Sequence, residues 1–271
     1  MYQTVIDHFA ETAVAKARSI RENPLGFLVG AALAGSFIGI GDIFAFTLGQ
    51  MADPSMRPLI MGATFGIALT LVVFAGGELF TGYAMYMTLG LFKRKVSIGT
   101  LVQSWVMVWV GNLIGALILA EIFHLSGGGQ LLKPGADLLF STVTAKMQAT
   151  PVQLLTRGIL CNFLVCLALW MCSRTKDDTA KAIVIFWCLF AFVACGFEHS
   201  IANMTVFSIA LLGPHPDTIT LGGAIYNLFW VTLGNAIAGV VFVGGAYWLA
   251  NGRQANSTST SLDSTVSAPA E

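Results

Sequence analysis

The sequence predicts an all-α membrane protein with six transmembrane helices in a 3+3 inverted repeat, in which helices 2 and 5 are broken. The composition is 56% hydrophobic and 10% charged, whereas soluble domains carry about 25% charged residues. Two apolar runs, at about 58–92 and 180–212, exceed the roughly 20 residues that one helix needs to cross a bilayer. Each run has glycine and glutamate inside it, which a helix break facing a cavity would tolerate.

Residues 1–23 are predicted to form an amphipathic helix on the cytoplasmic membrane surface. Apolar residues recur at helical spacing at Ile6, Phe9, Ala13, Ala17 and Ile20. The charged residues fall on other positions, and a helix of this kind lies in a membrane interface. A frayed and solvated chain end is the alternative.

Six spans follow within a channel domain at residues 24–250. Their approximate bounds are 27–50, 58–92, 99–123, 155–173, 180–212 and 220–249. Residues 251–271 are rich in Ser, Thr and Ala, and this composition predicts a disordered cytoplasmic tail because it offers little apolar surface to bury. The net charge of zero gives no electrostatic basis for binding nucleic acid.

The basic residues predict the orientation of the spans. Ten of the fourteen Lys and Arg residues fall before span one, after span two, between spans four and five, or after span six. These positions lie on one side of the membrane if every span crosses once, and the positive-inside rule assigns that side to the cytoplasm. Both termini are therefore predicted to be cytoplasmic.

Two features recur in the two halves of the chain. Glu78 and Glu198 are 120 residues apart, each at a glycine-containing interruption of an over-long apolar run. A Gly-Asn pair follows in the next span of each half, at 111–112 and at 234–235. Three spans per half reverse the orientation of the second half, so the pattern predicts an inverted repeat whose two breaks meet near the membrane midplane.

His199 is the strongest candidate for a site residue. It lies beside Glu198 in the second interruption, and ionisable residues inside membrane segments usually mark a transport pathway. An imidazole exchanges protons near neutral pH, although a simple helix-to-helix hydrogen bond is the alternative. Glu78 and Glu198 are predicted to have a structural role at the breaks, because a carboxylate accepts bonds from the N–H groups of unwound backbone.

Four further polar residues are candidates for the substrate pathway. Thr81 follows the first break and offers a hydroxyl to a substrate. Asn162 in span four and Asn203 after the second break bind either the passing molecule or a neighbouring helix. Lys146, in a loop before span four, either attracts anions to a vestibule or is a solvated loop lysine. Asp42 in span one fits a pore and a packed span end equally, so we do not count it as a site residue.

Large apolar side chains near the breaks can form constrictions that exclude water. Leu79 and Phe80 lie within the first break and are the stronger candidates. Phe65, Leu69 and Phe192 lie on the interrupted spans, but apolar residues of membrane helices more often face lipid or the protein core.

The segments around the two breaks resemble motifs of the formate/nitrite transporter family. They read Gly77-Glu78-Leu79-Phe80-Thr81-Gly82 and Gly196-Phe197-Glu198-His199-Ser200-Ile201-Ala202-Asn203-Met204. The resemblance covers about residues 20–250, and segments 57–66 and 160–168 are most similar to the nitrite-channel branch. It implies an aquaporin-like fold, a homopentamer with one pore per protomer, and passage of small monovalent anions of weak acids.

The resemblance also implies roles for individual residues. Thr81 and His199 face the central pore, and Lys146 is the lysine of the outer vestibule. Asn162 corresponds to the span-four asparagine of the pathway. The implied apolar constrictions are Phe65, Leu69, Leu79, Phe80 and Phe192.

We therefore predict a channel or proton-coupled transporter for nitrite in the bacterial inner membrane, with formate or hydrosulfide as the alternative substrate. Its partners are the anion, protons and the lipid bilayer. In the favoured mechanism Lys146 attracts the anion and His199 donates a proton, so that a neutral acid crosses the constrictions without the cost of burying a charge. In the alternative, backbone donors and His199 hold the anion itself as it passes.

No cofactor and no metal site are predicted, because the five cysteines form no Cys-x-x-Cys pair. A membrane-embedded enzyme that uses Glu198 and His199 as acid and base is a different class of function, but no nucleophile elbow or cofactor motif accompanies them. A structural subunit of a membrane complex is a third class of function. The two matched breaks argue against it, because a structural subunit needs no polar groups at the membrane midplane.

Overall fold

The computed structural model describes residues 2–252, and within them it contains eleven α-helices and no strand. The helices are α1 (Gln3–Glu22), α2 (Pro24–Met51), α3 (Arg57–Leu71), α4 (Phe80–Phe92), α5 (Ile98–Leu125), α6 (Leu138–Gln148), α7 (Pro151–Cys172), α8 (Asp178–Ala194), α9 (Ser200–Leu212), α10 (Leu221–Ile237) and α11 (Ala246–Ala250). A π-helical turn, Val72–Gly76, extends α3, and another, Ala238–Gly245, joins α10 to α11. The all-α prediction is confirmed, whereas nearly all of the predicted tail lies outside the described residues.

Within the described residues 2–252, five helical stretches are long and apolar enough to cross a membrane. They are Pro24–Met51, Arg57–Gly76, Ile98–Leu125, Pro151–Cys172 and Leu221–Ala250. By contrast, α8 has 17 residues and α9 has 13, and each alone is shorter than the roughly 20 residues that a bilayer requires. The chain is thus a multi-pass membrane protein.

Proline and a capping side chain define where two of the long helices begin. Asn23 accepts a hydrogen bond from the Gly26 N–H at 2.9 Å at the start of α2, and Pro24 occupies the first helical position. Thr150 and Gln153 form a reciprocal capping box at the start of α7. These local signals fix the entry points of the first helix in each half of the chain.

Glycine brings two helix pairs into backbone contact. A Cβ atom at Gly115 of α5 would collide with the Ala32 carbonyl of α2, and one at Gly234 of α10 would collide with the Leu155 carbonyl of α7. Membrane helices use small residues for such close packing. The close approach places polar side chains of α5 and α10 within reach of neighbouring backbone.

Helix α6 is an element that the sequence analysis did not predict. It has only 11 residues, too few for a span, and Lys146 lies in its last turn rather than in a loop. Leu139 and Val143 are buried under it, so packing against the rest of the protein gives Lys146 a fixed position.

The apolar face of helix α1 packs against other helices of the protein. Ile6 and Phe9 pack in one cluster with Met85 and Leu89 of α4 and Trp170 of α7. The face that we expected to lie on the membrane therefore packs against α4 and α7. Its position relative to the cytoplasm stays a prediction.

The contacts of Asp7 are expected to make the packing of α1 against α4 dependent on pH. Burial raises the pKa of Asp7, but a hydrogen bond from Gln3 at 2.8 Å and an ion pair with Lys93 at 2.7 Å outweigh it and hold this pKa below its usual value. A carboxyl group whose pKa is lowered by folding stabilises the folded state above its unfolded pKa of about 3.9. This stabilisation is lost as the pH falls through the folded-state pKa. We expect α1 to loosen from α4 below about pH 4.

Distances between spin labels on α1 and α4, measured from pH 7 to pH 3, test this expectation. Asp7→Asn should loosen α1 at every pH and flatten the dependence. Equal pH profiles for the two proteins would show that Asp7 does not control the docking.

Candidate functional site

The first half of the chain contains an interruption after the π-helical turn Val72–Gly76. Gly76 has a φ of 86°, a left-handed conformation that glycine adopts at no steric cost. Residues 77–79 are not helical, and α4 begins at Phe80. The interruption leaves backbone N–H and C=O groups that need partners from elsewhere in the chain.

Asn112 of α5 supplies those partners with its side chain. Its Oδ1 accepts a bond of 3.0 Å from the Phe80 N–H, and its Nδ2 donates bonds of 2.8 Å to the carbonyls of Ala31 and Glu78. The Glu78 N–H donates to the Gly30 carbonyl at 3.1 Å. Asn112 is fully buried, so losing its amide would leave several polar groups unpaired away from water.

The second half repeats this arrangement with Asn235 of α10. Gly196 has a φ of 70°, and α9 begins at Ser200. Asn235 Oδ1 accepts bonds from the Ser200 N–H at 2.9 Å and the Ser200 Oγ at 2.8 Å. Its Nδ2 donates to the carbonyls of Gly158 and Glu198 at 2.8 and 3.1 Å. Each interruption is therefore closed by one buried asparagine.

The carboxylates of Glu78 and Glu198 do not hold the interrupted backbone, which corrects our prediction for these residues. An interruption exposes both N–H and C=O groups, and an ionised carboxylate can only accept hydrogen bonds. The amides of Asn112 and Asn235 both donate and accept, so they suit this role better. The two glutamates instead form ion pairs with lysines.

Glu78 pairs with a lysine from α1. Lys16 Nζ lies 2.6 Å from both carboxylate oxygens, and the Tyr83 hydroxyl donates to Oε2 at 2.8 Å. The side chains of Lys16 and Glu78 are 27% and 18% exposed, so the pair borders an open space.

Glu198 is the centre of a closed network in the second half. Lys146 Nζ and Asn203 Nδ2 both donate to Glu198 Oε2, at 2.8 and 2.6 Å. Asn203 Nδ2 also donates to Asn227 Oδ1 at 2.8 Å, and Asn227 Nδ2 donates to the Lys146 carbonyl at 2.9 Å. This ring of contacts holds α6, α9 and α10 around one buried carboxylate.

His199 caps the first turn of α9 and points toward Thr81. Its Nδ1 accepts a bond of 3.1 Å from the Ala202 N–H, so in the neutral ring the proton resides on Nε2. Nε2 lies 3.5 Å from Thr81 Oγ1, and the imidazole stacks on Phe192 with ring centroids 6.0 Å apart. The imidazole and the hydroxyl are both buried.

Two cavities approach this buried pair. The Lys16 cavity has a volume of about 430 Å³, and its lining includes Lys16 and Glu78. The Lys146 cavity has a volume of about 270 Å³, and its lining includes Lys146, Glu198 and His199. Each cavity thus contains one lysine–glutamate pair.

Apolar side chains separate the two cavities. Phe65 and Phe192 line the Lys146 cavity with their rings edge to face, at 5.5 Å between centroids, whereas Leu69 and Leu79 line the Lys16 cavity. All four are at most 4% exposed. Phe65 and Leu69 are one turn apart on α3, so only about 6 Å separates the two cavities along that helix.

Three predicted site residues lie away from the cavity linings, namely Thr81, whose contact with His199 is described above, Asn162 and Phe80. Asn162 is buried, and its Nδ2 donates to the carbonyls of Thr81 and Asn235 at 3.2 and 2.6 Å, which ties α7 to the two halves. Phe80 lines a separate apolar groove between α5 and α10 and packs against Trp105. Their roles in permeation stay predictions.

Sequence reasoning missed Lys16 and Asn227 and did not count Asp42 as a site residue. Lys16 precedes the first long helix of its half as Lys146 does in the other, and this correspondence was the available signal. Asp42 lines the Lys146 cavity with an oxygen that lacks a partner among the described residues. Asn227 had no signal, because its contacts with Lys146 and Asn203 depend on the packing of distant helices.

Sequence comparisons find relatives that match most of the chain. The profile of the family described as Formate/nitrite transporter matches residues 3–249. The nitrite transporter NirC of Salmonella typhimurium strain LT2 is 49% identical over 253 residues, which cover 92% of each chain. The formate channel FocA of Escherichia coli strain K12 is 32% identical and covers 84% of this chain and 87% of its own.

Two solved structures share the fold. An FNT family ion channel superposes with a TM-score of 0.89 at 49% identity, over 92% of this chain and 99% of its own. A pentameric formate channel with formate bound gives a TM-score of 0.71 at 32% identity, over 83% and 96%. These relatives are channels and transporters rather than enzymes. The chain belongs to the formate/nitrite transporter family.

Proposed function

We propose that this protein conducts nitrite across the bacterial inner membrane, with Thr81 and His199 at the narrowest part of the pathway. The observation that carries the proposal is a buried pair of polar groups, 3.5 Å apart, between two cavities that each contain a lysine. The 49% identity to NirC favours nitrite as the anion.

The six spans of the proposed channel form a 3+3 inverted repeat, with α3–α4 and α8–α9 each acting as one span that is broken near the midplane. The equivalent contacts of Asn112 and Asn235 support this repeat. The Lys16–Glu78 and Lys146–Glu198 ion pairs support it as well. The excess of Lys and Arg on one side supports a cytoplasmic position for the termini and the Lys16 cavity.

An incoming anion can accept hydrogen bonds from the remaining N–H groups of Lys16 and Lys146, whose charges are balanced by their glutamate partners. At the constriction of Phe65, Leu69, Leu79 and Phe192, an anion loses its water shell, which is costly for a full charge. The Nε2–H of His199 and the hydroxyl of Thr81 offset part of this cost by donating hydrogen bonds. Protonation of the anion removes most of it, because nitrous acid is neutral.

His199 acts in this mechanism as a neutral hydrogen-bond donor. Its Nδ1 lone pair is used by the Ala202 N–H, so a second proton on the ring would break the cap of α9. The proton that our favoured mechanism from the sequence takes from His199 must therefore come from another group.

Formate is the second candidate substrate. FocA is 32% identical, and one structural neighbour is a pentameric formate channel with formate bound. Formate resembles nitrite in size and charge, and both have a neutral weak acid as their conjugate acid. Hydrosulfide is a smaller weak-acid anion of the same charge. The same neighbour supports a homopentamer embedded in lipid.

Purified protein in liposomes tests the function directly. We expect nitrite to enter faster than formate, chloride to be excluded, and the internal pH to fall as nitrite enters, because only a weak-acid anion can cross as its neutral acid. Liposomes without protein provide the baseline. Equal fluxes of chloride and nitrite without a pH change would contradict the proposal.

A further inference from the structure

Asp42 is a carboxyl group that the mechanism described so far does not use. It lies on α2, is 5% exposed, and lines the Lys146 cavity. Its Oδ2 is buried, and within residues 2–252 it has no hydrogen-bond partner. Burying a carboxylate oxygen without a hydrogen-bond partner costs free energy, and such unpaired atoms in folded proteins often have a functional role.

Burial without a partner favours a neutral Asp42, and the charges around the Lys146 cavity determine what each form of Asp42 does to an anion. Lys146 and Glu198 neutralise each other across 2.8 Å, and the capped His199 is neutral, which leaves the positive charge of Arg157. An ionised Asp42 would cancel that charge and repel an incoming anion. A protonated Asp42 leaves the cavity positive and contributes a hydrogen-bond donor.

Other elements packed on α2 do not change this balance. The charged or titratable residues that they carry toward the same end are Arg57 of α3 and Glu121 and His124 of α5, and none of them lines the cavity. Helix α9 has no charged residue, and α6 contributes only Lys146. Lys16 of α1 is engaged with Glu78 in the other cavity.

We propose that Asp42 is the proton donor of the Lys146 cavity, an inference that rests on the proposed conduction of a weak-acid anion. The neutral carboxyl binds the anion through its O–H, that O–H bond breaks, and a new O–H bond forms on the anion. The negative charge moves from the anion to Asp42, and the neutral acid enters the constriction. Asp42 then regains a proton from the solution at the cavity mouth.

The location of Asp42 makes this transfer favourable for permeation. The charge stays in a cavity that Lys146 and Arg157 line, instead of passing between the rings of Phe65 and Phe192. Water on the far side takes the proton back from the acid. His199 keeps its Nε2 proton throughout, so the cap of α9 remains intact.

Asp42→Asn tests the inference, because it keeps the shape of the side chain and removes the transferable proton. We expect nitrite uptake into proteoliposomes to fall about tenfold or more at pH 7.5. The deficit should largely disappear at pH 5.5, where protons from the solution protonate the anion directly. Asp53→Asn removes the same charge from an exposed position beyond the end of α2 and should match the wild type at both pH values.

The outcomes separate the competing explanations. An equal loss at both pH values would mean that Asp42 only supports the fold, and unchanged uptake would mean that it plays no part. Faster uptake in Asp42→Asn would mean that the native residue is ionised and repels anions. The wild-type flux reports on the proposed function, whereas the ratio of variant to wild type reports on Asp42 alone.

Discussion

Replacing His199 by Asn is expected to reduce nitrite uptake about tenfold to a hundredfold while the protein stays folded. Asparagine is a good helix N-cap and can accept the bond from the Ala202 N–H, so α9 keeps its start. The substitution removes the Nε2–H that faces Thr81. A hydrogen bond to a charged ligand contributes about 1.5–3 kcal/mol, which corresponds to this range of rates.

Two further variants separate the donor from the cap. His199→Phe keeps an aromatic ring against Phe192 but loses both the donor and the cap, so it should lose uptake and also some thermal stability. His215→Asn makes the same change at an exposed histidine outside the site and should behave as the wild type. Uptake by His199→Asn that equals the wild type at every pH would exclude His199 from the pathway.

Replacing Asn235 by Ala is expected to lower the free energy of unfolding by about 3–5 kcal/mol. The change leaves the Ser200 N–H and hydroxyl without an acceptor and the Glu198 carbonyl without its donor, and it removes the side-chain bond to the Gly158 carbonyl of α7. Asn235 is fully buried, so water cannot replace these bonds. The loss is measured by unfolding the protein in mild detergent through titration with a denaturing surfactant.

The repeat supplies a matched variant for this measurement. Asn112→Ala removes three equivalent bonds in the first half and should cost a comparable amount. Asn251→Ala serves as the control, because it removes a single bond to Gln3 in a partly exposed position. If Asn235→Ala were no less stable than Asn251→Ala, the asparagines would not hold the interruptions.

The sequence predicted the parts of this protein that depend on composition and local pattern. Apolar runs indicated the long helices, and the glycines at 76 and 196 lie where α3 and α8 give way to irregular backbone. The spacing of Glu78 and Glu198 indicated equivalent positions in the two halves. Each of these features can be recognised from a short segment of sequence, without knowledge of which distant residues it contacts.

The partners of those residues could not be predicted, because they depend on how distant helices pack. Lys16 reaches Glu78 across 62 positions of the chain, and Asn235 reaches Ser200 across 35. From the sequence we predicted that the glutamates hold the interrupted backbone, because no local pattern indicates that amides from α5 and α10 lie there. Helix α6 was missed because its 11 residues are too few to form a membrane span.

The short distance between the Lys16 and Lys146 cavities has an electrical consequence. Where solvent fills both spaces, most of the membrane voltage falls across the single helical turn from Phe65 to Leu69. One elementary charge crossing 100 mV changes in energy by about 2.3 kcal/mol. A bare anion would therefore produce a current that grows steeply with voltage, whereas an uncharged acid would cross the same turn without responding to the applied field.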